Sequence, residues 1–272
     1  MGVVNPERAG DVFIVVAPRG STDADDRRFL AAAAAWALGV DSRLVRIERY
    51  CPHCGGRDHG RPLVAVSSGA GTGTSPLHVS LSRAVGCVAF ALTFLGPVGV
   101  DIESVADVSR AGFDAVALGQ VELTALARLS APTAGAAAGA AAGAADTARA
   151  RARLWTAKEA VLKCTGDGLR VDPRNLTVSL PGGGGRGSPR LDAWRGADVD
   201  VDVDAIGLRD FDPGAALMGA EYVGTALVGT ALVGTALVGT VAVLGEGRRA
   251  ADGPTVHIVS NADIRHHLNG PA

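Results

Sequence analysis

Lysine is nearly absent from this chain of 272 residues. Of its 26 basic residues, two are lysines, Lys158 and Lys163, and arginine supplies all the others. Lysine is a compact, mobile point charge that suits a phosphate oxygen or a developing anion, whereas arginine offers a planar fork of donors. The confinement of both lysines to one short stretch therefore indicates a specific chemical need at that place.

Cysteine is scarce, and there is no large excess of charge of either sign. The formal net charge is −2 and the isoelectric point is about 6.3, so neither nucleic acid nor an anionic membrane surface is the expected partner. Four cysteines are too few for a disulfide scaffold in a chain of this length. The first ten residues contain no apolar run of the secretory type. We therefore expect a cytoplasmic protein.

The two lysines lie in the stretch Trp155–Lys163, which we expect to be a helix that ends at the turn-forming residues 165–168. Glu159 and Lys163 are four positions apart and so lie on one face of that helix. Such a pair is commonly a surface ion pair that contributes roughly a few tenths of a kcal/mol. The scarcity of lysine favours instead a carboxylate and an ammonium directed at one ligand.

A second acidic pair follows an apolar lead-in at residues 98–103, Val-Gly-Val-Asp-Ile-Glu. If this stretch is a strand, Asp101 and Glu103 project from the same face, because side chains alternate along a strand. Two neighbouring carboxylates repel each other unless a cation joins them, and Mg²⁺ with phosphate oxygens is a natural occupant. The alternative is a solvated strand end, which is common.

The segment Cys51–Pro62 contains a Cys-x-x-Cys pair with His59 close behind it. These residues could ligate zinc, but no second Cys-x-x-Cys pair completes a standard four-ligand site. A plain turn with reduced thiols is the alternative. The end of the segment is a separate feature: Gly60 would let the backbone approach a ligand, and Arg61 could bind phosphate.

Several other stretches carry weaker signals. We expect a buried strand at 11–18, helices at 29–38 and 115–129, a short strand at 176–180 and a half-exposed acidic strand at 198–204. The Ala/Gly-rich run 133–148 is either a floppy insert or an extension of the following helix. The run 223–240 repeats Gly-Thr-Ala-Leu-Val; we interpret it as one strand ending near 241–244, with extra copies ahead of it, and not as a membrane span.

Taken in order, these motifs resemble those of the Sfp-type 4′-phosphopantetheinyl transferases. The resemblance is carried by Gly99-Val-Asp-Ile-Glu103, Trp155-Thr-Ala-Lys-Glu-Ala-Val-Leu-Lys163 and Thr165-Gly-Asp-Gly-Leu169, with support from His59–Pro62 and Val79–Ser82. It implies an α+β fold of two similar, pseudo-symmetric halves with the active site in the cleft between them. Residues 1–104 would form the first half and 105–272 the second, with low-complexity inserts at 133–148 and 223–240.

The resemblance also implies an activity and a set of roles. The enzyme would move the 4′-phosphopantetheine group of coenzyme A to a serine of an acyl or peptidyl carrier protein and release 3′,5′-ADP. The implied roles are metal binding for Asp101, Glu103 and Glu159 with Mg²⁺, catalysis for Glu159 and Lys163, and contacts to coenzyme A for Gly60, Arg61, Arg83, Lys158 and Lys163. A monomer is expected, with no nucleic-acid or membrane partner.

Two departures from the family pattern keep other functions open. Arg83 stands where the family usually has a histidine, and the basic residues common in the family's first helix are reduced to Arg27 and Arg28. A non-catalytic relative that binds coenzyme A or a carrier protein is one alternative. A zinc-stabilised interaction module built on Cys51, Cys54 and His59 is another.

Overall fold

The computed structural model describes residues 10–67, 77–110, 112–130, 137–181, 187–196, 202–218, 236–245 and 253–269. Its strands are β1 Asp11–Pro18, β2 Val45–Tyr50, β3 Arg61–Val66, β4 His78–Ala84, β5 Cys87–Thr93, β6 Val98–Ser104, β7 Leu176–Ser179, β8 Arg190–Trp194, β9 Ile206–Phe211, β10 Leu237–Leu244 and β11 Thr255–Val259. Its helices are α1 Asp23–Leu38, α2 Val105–Val108, α3 Phe113–Ala117, α4 Gln120–Leu129, α5 Ala137–Thr165, α6 Pro213–Met218 and α7 Asn261–Asn269.

The described strands form three sheets. Six strands lie in the order β11-β1-β5-β4-β3-β2, three in the order β6-β10-β9, and β7 pairs with β8. The pairing of β11 with β1 is parallel and the other pairings are antiparallel. This mixture of antiparallel sheets and helices agrees with the expected α+β class, while the pseudo-symmetry of two halves stays a prediction.

The six-stranded sheet contains two neighbouring interior strands, β1 and β5, that are buried on both faces. Every residue of β5 is buried, and so are positions 12–17 of β1. The alanine-rich helix α1 covers one face, since short side chains let a helix lie close to a sheet. Thr22 and Asp25 form a capping box at its start, and Gly39, with φ 67°, ends it in the left-handed conformation.

Helix α5 lies directly on strand β6, and the glycine at position 99 makes this possible. A Cβ on Gly99 would lie 1.9 Å from the carbonyl oxygen of Ala160 and 2.5 Å from the amide nitrogen of Cys164. Any side chain at position 99 would therefore push the helix off the strand. The close contact holds the polar face of α5 beside the acidic residues of β6.

Strand pairing crosses the expected boundary at residue 104 in both directions. Strand β6, from the first half, pairs with β10, and β11, near the C-terminus, pairs with β1 at the opposite end of the sequence. Helix α7 then packs against α1 beside it. Residues before 104 thus contribute β6 to the three-stranded sheet, and residues after 104 contribute β11 to the six-stranded sheet. A boundary at residue 104 therefore does not assign each sheet to one half of the chain.

Three of the weaker expectations need correction or completion. The run 137–148 belongs to α5, so it extends the following helix and is not a floppy insert over those residues. The helix expected at 115–129 is two helices, because Gly119 caps α4 and its amide is bound by Glu122. Residues 203–205 form a 3-10 turn before β9, so the acidic strand expected at 198–204 is wrong for this part; 198–201 lie outside the described residues.

The other expectations agree with the structure over the residues that it describes. The strands at 11–18 and 176–180 and the helix at 29–38 are present as β1, β7 and α1. The strand expected to end near residue 244 is β10, while the repeat copies at 223–235 lie outside the described residues. None of the helices in the described ranges has both the length and the apolar character needed to span a bilayer.

Candidate active site

The centre of the site is the carboxylate of Asp101, which is buried at 2% exposure in β6. Its Oδ1 accepts a hydrogen bond from Lys163 Nζ at 2.6 Å and another from Ser82 Oγ at 2.7 Å. Lys163 belongs to α5 and Ser82 to β4, so three elements meet at one oxygen atom. The site therefore lies where the six-stranded sheet, the three-stranded sheet and α5 come together.

Lys163 is held at this junction by further contacts. Its ammonium also donates to Ser82 Oγ at 3.2 Å and to the carbonyl of Val100 at 3.3 Å, yet 30% of its side chain remains exposed. The sequence motifs predicted Lys163 but not Ser82. Ser82 could have been found from the Val79–Ser82 motif, since alternation along a strand places Ser80 and Ser82 on one face. Ser80 accepts from the Val100 amide at 3.1 Å and so fixes β4 against β6.

Glu103 and Glu159 are close enough to Asp101 for their charges to interact. Burial raises the pKa of Glu103 to about 7, and the charge on Asp101 adds to the effect, against a hydrogen bond from Trp155 and the charge of Lys163. Trp155 Nε1 donates to Glu103 Oε1 at 3.3 Å. Burial, followed by the charge of Asp101, also raises the pKa of Glu159. The site thus concentrates more negative charge than one ammonium balances.

Two oxygen atoms in this cluster show where a cation would fit. Asp101 Oδ2 and Glu159 Oε1 are buried and have no hydrogen-bond partner. A buried carboxylate oxygen without a partner carries a desolvation cost, which a hard cation such as Mg²⁺ would offset because it takes oxygen ligands. The carboxylates of Asp101, Glu103 and Glu159 are therefore a suitable donor set for such an ion.

The trio is more open than a closed metal cage. Within the described ranges, the group whose ligand atoms all lie within 4.8 Å of one another is Cys51, Cys54 and His59, and not the acidic trio. Repulsion between carboxylates keeps them apart when nothing positive lies among them, and Lys163 already neutralises one oxygen of Asp101. An open carboxylate site suits Mg²⁺, which usually keeps several ligands from water or phosphate.

Arg61 and Gly60 lie at the C-terminal end of α5, beside this centre. Arg61 Nη1 donates to the carbonyl of Cys164 at 3.1 Å, and its guanidinium packs against Gly166. Gly60 has φ 92°, and a Cβ there would lie 2.3 Å from the carbonyl oxygen of Tyr50. Glycine is thus needed at position 60 for the backbone before Arg61 to lie against the backbone of Tyr50. Contact of either residue with coenzyme A stays a prediction.

The remaining predicted coenzyme A contacts have other partners in this structure. Arg83 Nε donates to Asp26 Oδ2 at 2.6 Å, while its Nη2 makes no hydrogen bond and lies 3.6 Å from Asp23 Oδ1. Lys158 is fully buried and donates to Glu122 Oε2 at 2.5 Å and to the carbonyl of Ala117 at 2.9 Å. The expectation that Lys158 contacts coenzyme A is therefore corrected: its ammonium binds α4 inside the protein and is out of a ligand's reach.

The cysteine cluster considered from the sequence also comes together. Cys54 Sγ lies 3.2 Å from His59 Nε2, and both residues are exposed, while Cys51 is buried at 6% exposure. All four cysteines of the chain are free thiols. This cluster is separate from the acidic trio and lies in the loop between β2 and β3.

The comparisons with known proteins support one superfamily. No curated protein matches this chain. A family model described as the 4′-phosphopantetheinyl transferase superfamily matches residues 97–204, the segment that contains Asp101, Glu103, Glu159 and Lys163. Residues 97–204 are therefore similar to the 4′-phosphopantetheinyl transferase superfamily, which agrees with the resemblance seen in the sequence at the level of the superfamily.

Proposed function

We propose that this protein transfers the 4′-phosphopantetheine group of coenzyme A to a serine of an acyl or peptidyl carrier protein, with Mg²⁺ and with release of 3′,5′-ADP. The serine oxygen forms a bond to the phosphorus that bears the pantetheine arm. The bond from that phosphorus to the bridging oxygen of the pyrophosphate breaks, and 3′,5′-ADP takes up the electron pair. The serine proton passes to a base. The superfamily match supports phosphopantetheine transfer in general.

One observation carries the finer proposal. Asp101 is joined to Lys163 at 2.6 Å while Asp101 Oδ2 and Glu159 Oε1 are buried without partners, all within the matched segment. In phosphoryl transfer the protein contributes mainly by positioning the reactants and neutralising charge, and little by covalent chemistry. Unpartnered carboxylate oxygens beside a lysine supply a place for a cation and a fixed positive charge.

The acidic trio and Lys163 would have different roles in the reaction. Asp101, Glu103 and Glu159 would hold Mg²⁺, which when bound would neutralise charge on the pyrophosphate oxygens. Glu159, whose pKa burial raises, would help take the proton from the carrier serine, directly or through water. Lys163, with 30% of its side chain exposed, would contact the pyrophosphate and stabilise the leaving group.

Coenzyme A would extend from the acidic trio towards the start of β3. Arg61 lies next to Cys164, the residue that follows Lys163, so its guanidinium could bind a phosphate of the nucleotide. Gly60 would lie beside the same part of the ligand. The Arg83 side chain is 22% exposed and its buried Nη2 makes no hydrogen bond, and we propose its guanidinium as a further phosphate contact. We further propose that the enzyme acts as a cytoplasmic monomer of two halves.

The test is to incubate the purified protein with coenzyme A, Mg²⁺ and several apo carrier proteins and to weigh each carrier. The proposal predicts that at least one carrier gains the mass of one phosphopantetheinyl group and that a chelator prevents this gain. Coenzyme A binding without a mass gain on any carrier would support the non-catalytic alternative instead. Titration calorimetry with coenzyme A separates these two results.

A further inference from the structure

The loop between β2 and β3 contains a group of metal-binding atoms that the transfer reaction does not use. The two sulfur atoms of Cys51 and Cys54 and a ring nitrogen of His59 all lie within 4.8 Å of one another. Such spacing is what three ligands around one transition-metal ion require, since metal–sulfur and metal–nitrogen distances are about 2.0–2.3 Å. Within the described ranges, this is the set of histidine, cysteine and acidic residues that meets this spacing.

The backbone of the loop is folded around these sulfur atoms. The Cys51 amide donates to the carbonyl of Gly56 at 2.9 Å, and the Gly55 amide donates back to the carbonyl of Cys51 at 2.9 Å. The Gly56 amide points at Cys54 Sγ, 3.4 Å away. Gly55 has φ 72°, which a residue with a side chain adopts only with strain. Amide hydrogens directed at sulfur stabilise the thiolate, the form that binds metal.

His59 is held with one ring nitrogen turned towards Cys54. Its Nδ1 donates to Asp58 Oδ1 at 2.7 Å, so that Nε2, which lies 3.2 Å from Cys54 Sγ, keeps a lone pair. A carboxylate on the far nitrogen is the usual partner of a metal-ligating histidine, because it fixes the tautomer and makes the other nitrogen more basic. The loop therefore supplies both the ligand and the group that orients it.

We propose that Cys51, Cys54 and His59 bind one Zn²⁺ ion. Two thiolates and an imidazole favour zinc over magnesium or calcium, which prefer oxygen ligands. The fourth position is open to solvent, since Cys54 and His59 are exposed, and a water molecule would fill it. The proposal concerns a site distinct from the acidic trio and does not depend on the transfer activity.

The zinc ion would order the chain that leads into Arg61. Two contacts join this region to the end of α5. His53 Nε2, between the two cysteines, lies 3.3 Å from Asp167 Oδ1, and Arg61, at the start of β3, donates to the carbonyl of Cys164. A metal that closes the loop between residues 51 and 59 would reduce its freedom before these contacts form, and would so stabilise the docking of the loop.

The test uses the full chain, purified under reducing conditions in the presence of Zn²⁺ and then dialysed against metal-free buffer. Elemental analysis of the purified wild-type protein by mass spectrometry should find about one zinc ion per chain. Cys54→Ser and His59→Asn should each lose most of it, and both sites are exposed, so neither change threatens folding. Cys87→Ala, in the buried strand β5, is the matched control and should keep the zinc.

Two further measurements keep the outcome unambiguous. Cobalt bound in place of zinc should give the strong visible bands of a tetrahedral site and a thiolate charge-transfer band, and both should vanish in Cys54→Ser. Hydrogen exchange at residues 51–61 should speed up when a chelator removes the metal. Absence of zinc from the wild type, equal zinc in Cys54→Ser, or a Cys51–Cys54 disulfide in the protein purified under reducing conditions would each overturn the proposal, whether or not the protein transfers phosphopantetheine.

Discussion

Lys163 and Asp101 form an ion pair of 2.6 Å between α5 and β6, and the carboxylate side of that pair is buried. Replacing Lys163 with glutamine would leave a buried charge with a weaker partner. Because 30% of the lysine side chain is exposed, we expect a loss of about 1–3 kcal/mol in the free energy of unfolding, less than for a fully buried pair. Chemical denaturation measures this loss.

Arg43→Gln is the control for that variant. Arg43 forms an ion pair with Asp41 at 2.5 Å, but its side chain is 83% exposed, so the loss should be much smaller than for Lys163→Gln. Equal losses in the two variants would show that the pair between α5 and β6 has no special role in stability.

The buried pair of Lys158 and Glu122 should contribute to stability and not to catalysis. Burial lowers the pKa of Lys158, against the hydrogen bond and charge of Glu122, and Glu122 also accepts from the amides of Gly119 and Val178. Glu122→Gln leaves the ammonium buried without the carboxylate that contacts it, and we expect a loss of about 3–5 kcal/mol in the free energy of unfolding.

The exposed pair of Arg174 and Asp172 provides the comparison for this loss. Arg174→Gln should change the free energy of unfolding far less than Glu122→Gln does, since the arginine side chain is 53% exposed. A Glu122→Gln protein as stable as the wild type would contradict the assignment of Lys158 to a structural pair.

Arg61→Ala should weaken coenzyme A binding more than it slows turnover. The guanidinium lies beside Cys164 and away from the atoms proposed to react, so its loss removes a phosphate contact. We expect an increase of about tenfold in the KM for coenzyme A, which corresponds to one charge-assisted hydrogen bond. Steady-state kinetics with a carrier protein measure it. Arg57→Ala, an exposed arginine of the same loop paired with Glu48, is the control and should leave KM unchanged.

Without a divalent cation, stability should depend on pH through Glu103. Burial raises its pKa to about 7 in the folded protein from an ordinary value of about 4.5, so the folded state binds more protons between these values. The free energy of unfolding should therefore fall as pH rises from about 4.5 to about 7 and then change little, a loss on the order of 2 kcal/mol.

Denaturation curves collected with a chelator across this pH range test the dependence. Glu103→Gln should make the decline smaller, because glutamine does not titrate, and Glu159, whose pKa burial also raises, should account for a remaining part. Glu48→Gln at an exposed position should keep the full decline. A decline of the same slope in the Glu103→Gln protein would show that other groups cause it.

The sequence predicted the two parts of the proposed site because each follows a regular period, and the family resemblance joined their acidic residues into one proposed metal-binding trio. Asp101 and Glu103 share a strand face through the period of two, and Glu159 and Lys163 share a helix face through the spacing of four. Position 99 also carried information, since glycine there lets α5 lie on β6. Both periods are local, so one sequence suffices to see them, whereas the contact of position 99 with α5 is known only from the structure.

The corrected residue shows where local periods stop being informative. Lys158 and Lys163 belong to the same helix motif, but Lys158 faces Glu122 of α4, and no pattern in the sequence pairs α4 with that face. The parallel pairing of β11 with β1 is a second example, because it joins strands from opposite ends of the sequence and no short motif predicts it. The spacing of Cys51, Cys54 and His59 depends on the turn at Gly55, so it could not be judged from the sequence.

The most direct test of the account is the rate of carrier modification by the Glu159→Gln protein. Glutamine keeps the size of the side chain and removes the charge that would bind the cation and accept the serine proton. Mass spectrometry of an apo carrier with coenzyme A and Mg²⁺ should show a rate at least about 100-fold below that of the wild type, the loss expected for one catalytic group. A Glu159→Gln enzyme that modifies the carrier at the wild-type rate would contradict the account.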